Sequence, residues 1–217
     1  MSNVVADGSI LAFGATFGAT KNCTAISNAN PAVATLEAAH GVVVGDLIEF
    51  LTSGWPSLAG KVLRVSAVST NDVTLEGFST SDTTRFPAGG GTGTIREILT
   101  WTNVAQIVAI SQSGGEQKYV DFQYLDQLQE QSVPTSKSPL RLSFTLADDI
   151  TLAQQASIRA LETLAANAPA RLVFRNNSRI LMNGFWSMAN LPNIELGAFN
   201  KREVTIALSS LPTEYAT

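Results

Sequence analysis

The sequence predicts a mainly β fold with one flanking helix and a small β-unit set into a larger one. Three observations predict it. Short alternations of apolar and polar residues recur along most of the 217 residues, the period of strands with one buried face. Only residues 151–167 place apolar side chains at helical spacing. Turn-forming clusters bracket residues 27–98: Asn28, Asn30 and Pro31 open that stretch, and Pro87 with Gly89, Gly90, Gly91 and Gly93 closes it.

Taken in order, residues 9–17 hold Ile10, Leu11, Phe13 and Phe17 among small residues and read as an early strand or arm. Within 27–98 four strands are expected, at 32–38, 47–51, 61–68 and 73–76, with 92–98 leading out. Gly41 to Asp46, Gly54-Trp55-Pro56 and Asn71-Asp72 supply the turns. Strands this short and this closely spaced suit a small barrel or sandwich. The expected division is therefore a discontinuous main body, 1–26 with 99–217, and an inserted β-domain, 27–98. The glycine run at 89–93 reads as a flexible connector between them.

In the main body, 102–111 reads as a strand ending at a Ser113-Gly114-Gly115 turn. Residues 119–125 set Val120, Phe122 and Tyr124 on one face, and residues 140–146 set Leu140, Leu142, Phe144 and Leu146 on one face. The two runs suit a half-buried antiparallel pair. The polar stretch 126–138 between them is too long for a tight turn. For the helix at 151–167, Thr151 with Gln154 forms a capping-box pattern, Asp148 and Asp149 complement the N-terminal dipole, and Ile158, Leu161, Leu164 and Ala165 form its apolar stripe. Asn167 and Pro169 are expected to end it. Strands at 171–175, 179–188 and 202–209 complete the chain.

Charged residues make up only 15% and hydrophobic residues 45%, against about 25% charged in ordinary domains. So charge-poor a surface is suited to being covered. Fourteen Lys and Arg against eighteen Asp and Glu give a net charge of −4, which disfavours a grip on nucleic acid. Much of the acidity falls in 27–98, with four cations against seven anions. One cysteine, Cys23, allows no intrachain disulfide and fits a reducing compartment. No secretory signal is expected from the first ten residues, and no apolar run is long enough to span a bilayer.

The residues that could carry chemistry do not form a constellation. His40 is the single histidine and precedes Gly41 in a turn. Cys23 has no evident base and reads as a packed thiol. Gly54 to Lys61 has the wrong spacing for a phosphate loop, with Val62 where a magnesium-binding hydroxyl would stand. Arg171, Arg175 and Arg179 lack the aromatic ladder of a nucleic-acid surface. Trp55, Trp101 and Trp186 read as core or interface anchors. The expectation is no catalytic residue, no metal and no cofactor.

The run from Leu140 to Asp149, followed by Leu152-Ala153-Gln154-Gln155-Ala156, Leu161 and Leu164, then Arg171 to Arg175 and Asn183-Gly184-Phe185-Trp186, resembles the major tail tube proteins of siphophages. The stretches Ala39 to Phe50, Leu58 to Val65 and Val73 to Glu76 resemble the small β-domain inserted in some of them. The resemblance covers the chain from about Leu36 onward. It implies a β-sandwich or half-barrel core with one helix, six-membered rings stacked into a DNA-ejection tube, and a barrel-like insert on the exterior. Implied partners are further copies of the chain, a tape measure protein, a tail terminator and baseplate proteins. The implied location is the virion tail, after assembly in the host cytoplasm.

Within that frame the loop 126–138 is the candidate for ring stacking, with Gln127, Leu128, Gln129, Glu130, Gln131 and Val133. Asp121, Gln123, Ser143, Thr145, Glu203 and Thr205 are polar strand faces that could line the lumen without trapping DNA. Arg141 breaks this pattern and would pair with Asp121 or Glu203. A second reading makes 27–98 a carbohydrate- or receptor-binding module, with Trp55, Phe78 and Phe86 as its candidate aromatic platform.

Overall fold

The computed structural model describes residues 7–194, 196–197 and 199–216. The first six residues of the expected 1–26 segment lie outside these. Fifteen strands and one helix are formed among the described residues, and the fold is mainly β.

The N-terminal strands are β1 (Ile10–Phe17), β2 (Lys21–Ile26), β3 (Val33–Leu36), β4 (Leu47–Ser53), β5 (Val62–Ser69), β6 (Asp72–Leu75) and β7 (Gly93–Val104). Strands β2, β3, β6, β5, β4 and β7 pair in that order, and β7 pairs back to β2, closing a six-stranded antiparallel barrel. Closure leaves this sheet without an edge. Its core holds Leu36, Ile48, Phe50, Trp55, Leu63, Val65, Leu75, Phe86 and Ile95. The barrel draws one strand from Lys21–Ile26, ahead of the 27–98 range expected from turn chemistry.

The glycines at 89–93 are not a slack connector. A Cβ on Gly93 would lie 2.1 Å from the Thr52 carbonyl oxygen, and one on Gly91 would lie 2.7 Å from the Trp55 ring. Gly90, Gly91 and Gly93 are small because the chain passes directly over Trp55 and β4, while Gly89 sits in open space at φ +79°.

Strand β7 is shared. Its first half belongs to the barrel, and Ile98–Val104 pairs with β1. From β1 a second antiparallel sheet continues through β12 (Asn167–Val173), β13 (Arg179–Met188), β14 (Lys201–Leu208) and β11 (Arg141–Ala147) to β8 (Ile107–Ser113), with β15 (Thr213–Tyr215) beside β13. This sheet wraps around Phe13, Phe144, Leu146, Met182, Trp186, Met188, Val204 and Ile206. Trp186 meets Phe13 and Phe144 edge-on, and its indole N–H donates to the Ala168 carbonyl at 3.2 Å. Residues 102–111 are two strands rather than one. Gln106, with φ +61°, turns the chain between β7 and β8.

The helix α1 (Ala153–Thr163) closes the sandwich, with Ile158 fully buried and Leu161 packed on the same core. The expected capping box does not form. Leu152 occupies the N-cap, the Thr151 hydroxyl donates to Asp149 instead, and the Gln154 amide clips both the N–H and the carbonyl of Ala105 at 2.7 and 2.9 Å. Bonds from Thr151 hold the Asp149 carboxyl below its ordinary range. Asp148 serves Arg202 rather than the helix dipole, in a two-pronged pair at 2.9 and 3.1 Å that is almost wholly buried. The helix ends at Ala165, with φ +47°. Asn167 and Pro169 already belong to β12.

Barrel and sandwich are fastened to one another. Leu47 and Val62 pack with Ile98, Leu181 and Tyr215. The Asn183 amide in the sandwich donates to the buried Glu49 of the barrel at 2.6 Å, and Arg96 holds the other carboxylate oxygen at 2.7 Å. The C-terminal segment adds three ties. Lys61 donates to the Leu211 carbonyl, Ser210 donates to the Gly60 carbonyl, and the Tyr215 hydroxyl accepts from the Arg64 N–H, each at 2.9 Å. Burial pushes the Lys61 amine down and the Tyr215 phenol up.

Candidate functional site

Beyond Ser113 and Arg141 the β8–β11 pair continues as a ribbon of β9 (Gln117–Phe122) and β10 (Gln131–Lys137). Six strand residues make it about 20 Å long before its tip. The stretch expected as a polar loop, 126–138, therefore supplies a strand, and β9 pairs with it rather than with β11. Pro134 is tolerated because each ribbon strand has an open side. Phe122 and Tyr124 meet edge-on, and this ring pair is the ribbon's own apolar contact.

Nothing else among the described residues covers the ribbon. Tyr119, Val120, Tyr124 and Val133 are exposed, and Leu125 and Leu128 are 107% and 104% exposed. The tip is tied by glutamines. The Gln123 amide donates to the Gln127 carbonyl at 2.7 Å, and the Gln131 amide to the Gln127 side chain at 2.8 Å. Gln127, Leu128, Gln129 and Glu130 lie in the tip, while Gln131 and Val133 lie on β10. The ribbon leaves the sheet through Gly114 and Gly115, with φ +82° and +81°. A Cβ on Gly114 would lie 1.9 Å from the Pro139 carbonyl oxygen, so this crossing requires glycine.

The second candidate surface is the sheet face opposite the sandwich core. Register sets Ser187, Thr205, Ser143 and Ser111 in one row across β13, β14, β11 and β8, with Glu203, Thr145 and Ala109 in the next. The Ser143 and Thr205 hydroxyls are 3.0 Å apart, and Ser187 donates to the Thr205 carbonyl at 3.3 Å. Ser143, Thr145, Glu203 and Thr205 thus share one face. Asp121 and Gln123 do not join them, since Asp121 lies on the ribbon and Gln123 at its tip. Arg141 stands opposite Ala207 and Ser113, not Glu203, and pairs with no carboxylate among the described residues.

The sheet also has two open edges. Beyond β8 no described strand pairs, and the Leu99–Val104 half of β7 pairs only with β1. Val108, Ile110 and Leu99 are exposed along them. Free ladder groups of this kind accept a strand from another chain.

The remaining sequence candidates resolve into packing. Trp55 and Phe86 are buried in edge-on contact, and Phe78 packs on Phe86, so the three cannot present an aromatic platform for sugar. His40 is buried, bonded to the Thr70 carbonyl at 3.0 Å and accepting from the Val42 N–H at 3.1 Å. Burial pushes the Cys23 thiol up to about 11. Arg171 stacks on Trp101 at 4.7 Å. Among the described residues no group of His, Cys, Asp and Glu could hold a metal ion, and no helix is long and apolar enough to cross a membrane.

No curated protein matches the chain. The sequence profile of the family described as phage tail tube protein, TTP, matches residues 53–217, a stretch that takes in part of the barrel, the ribbon and all of the sandwich strands except β1. On that match over most of its length, the chain belongs to the phage tail tube protein family.

Proposed function

We propose that this chain polymerises as stacked six-membered rings that form the tail tube of a siphophage, the conduit through which DNA is ejected. The family itself implies a structural role in the virion tail and self-assembly into the tube. The observation that carries the finer reading is the β9–β10 ribbon. It orders some twenty residues outside the fold, exposes leucines at its tip and is covered by no other described residue of the subunit. Ordering a segment costs about 1–2 kcal/mol per residue in backbone entropy, so contacts made in an assembly are the natural compensation.

In this reading the β8 and β7 edges join neighbours within a ring, and the ribbon joins one ring to the next. The hydroxyl face carrying Ser143, Thr145, Glu203 and Thr205 lines the channel. Hydroxyls and the Glu203 carboxylate make up the middle of this face, with Lys201 and Arg141 on the same strand faces at its opposite ends. Cations set this far apart do not form the cluster that would retain a passing polyanion. The barrel, built mainly from 27–98, decorates the exterior. The tube would be filled by a tape measure protein and closed by terminator and baseplate proteins, after assembly in the host cytoplasm.

The test is to replace residues 123–130 by Asn-Gly, which joins the paired residues Phe122 and Gln131 through a two-residue turn. The shortened subunit should fold, with an unchanged melting temperature, and should no longer form tubes in electron micrographs. Tubes of ordinary length from this variant would overturn the stacking role.

A further inference from the structure

A second uncovered apolar surface lies at the other end of the sandwich. The connection 190–200 between β13 and β14 exposes Leu191, Ile194, Leu196 and Phe199, the first 82% and the third 106%. Ile150, at the start of the connection from β11 to α1, is exposed at the same end. Strand register fixes their place. Ala147 pairs with Lys201, so both connections leave from that row, while the ribbon continues from the opposite row, where Arg141 meets Ala207 and Ser113. The rows from which the two apolar surfaces leave are thus separated by the height of the sheet, about 20 Å for the seven residues Arg141–Ala147.

Identical rings stacked in one direction bring the upper end of each copy against the lower end of another. The material that covers one end must then come from the other end. The chemistry of the two ends agrees. Both present leucines and aromatics. The agreement is apolar rather than electrostatic. The ribbon tip carries Asp126 and Glu130 with no cation among residues 123–130. The other end sets the Lys201 ammonium 5.4 Å from the centre of the Phe199 ring, but the sequence of its two connections also includes Asp149 and Glu195.

We propose that Leu191, Ile194, Leu196 and Phe199, with Ile150, form the seat on which the β9–β10 ribbon of an axially neighbouring copy docks. The proposal rests on the ring-stacking reading. Its test mixes two populations of full-length subunits. One carries a single added cysteine at Val120, Leu125 or Leu128, the other at Leu191 or Leu196, and the assembled material is treated with a short bismaleimide. Dimers joining the two populations, absent from unassembled subunits, are expected. Tubes in which ribbon cysteines cross-link only to one another, or in which no mixed dimer forms, would overturn the seat.

A second arm uses Leu191→Asp with Leu196→Asp, both at positions fully outside the core. This variant should keep its melting temperature and stop at single rings. If it forms tubes while the tip-shortened variant does not, the seat is wrong and the stacking role stands. If both form tubes, the stacking role itself falls, and the seat with it.

Discussion

Replacing Asp148 by Asn would leave the Arg202 guanidinium buried against the Ala189 and Asn190 carbonyls without its counter-charge. Breaking a buried pair by removing one partner costs about 3–5 kcal/mol, so D148N should lower the urea midpoint markedly while leaving the barrel strands intact by circular dichroism. Cys23 predicts a pH effect of definite sign. Its thiol stays protonated in the folded state up to about pH 11, against a value of 9.0 for a free thiol. The unfolded chain therefore releases its proton first, and stability present below pH 9 is lost as the pH rises toward 11. C23A should flatten that stretch of the stability profile, measured by urea melts across the range. At this scale the sequence disclosed the sandwich face well. The alternation that buries Phe144, Leu146, Val204 and Ile206 necessarily turns Ser143, Thr145, Glu203 and Thr205 the other way. It did not disclose Gln154, Glu49 or Arg202, because a polar residue clipped to a distant strand has no local period.

Gln154 belongs to an element-level argument. It fastens the first turn of α1 to the β7–β8 corner, satisfying both backbone groups of Ala105. Gln154→Leu keeps the volume and leaves those groups without that partner, at a cost of about 1–3 kcal/mol. Hydrogen exchange should quicken at Ala105 and along Ala153–Thr163 while the barrel amides stay protected. The helix was legible from Ile158 and Leu161, which pack on the core, but its ends were not: Leu164 and Ala165, expected in the same stripe, fall beyond α1 and are exposed. A left-handed Ala165 stops it, and nothing in that residue type announces the turn. Strand β10 was hidden for a related reason. Gln131–Lys137 is exposed along its whole length and, unlike β9, has no apolar side to alternate, so it has the composition of a loop.

At the level of the whole molecule, the C-terminal segment decides whether barrel and sandwich melt together. Leu211, Ser210 and Tyr215 bond Lys61, Gly60 and Arg64 across the junction. Removal of residues 210–217 should convert a single calorimetric transition into two, whereas a single transition at the original temperature would show that Glu49 and Asn183 suffice to couple them. Turn chemistry placed the barrel boundary late because β2 lies before the first turn cluster, and only closure with β7 reveals its membership.

That shared strand has a mechanical meaning. β7 is one unbroken backbone whose two halves are laced into different bodies, so a pull along it from the barrel meets all its cross-links side by side. Loaded in shear, they must yield together instead of peeling in turn like a zipper. A barrel mounted this way can take a sideways knock or viscous drag without tearing from the sandwich.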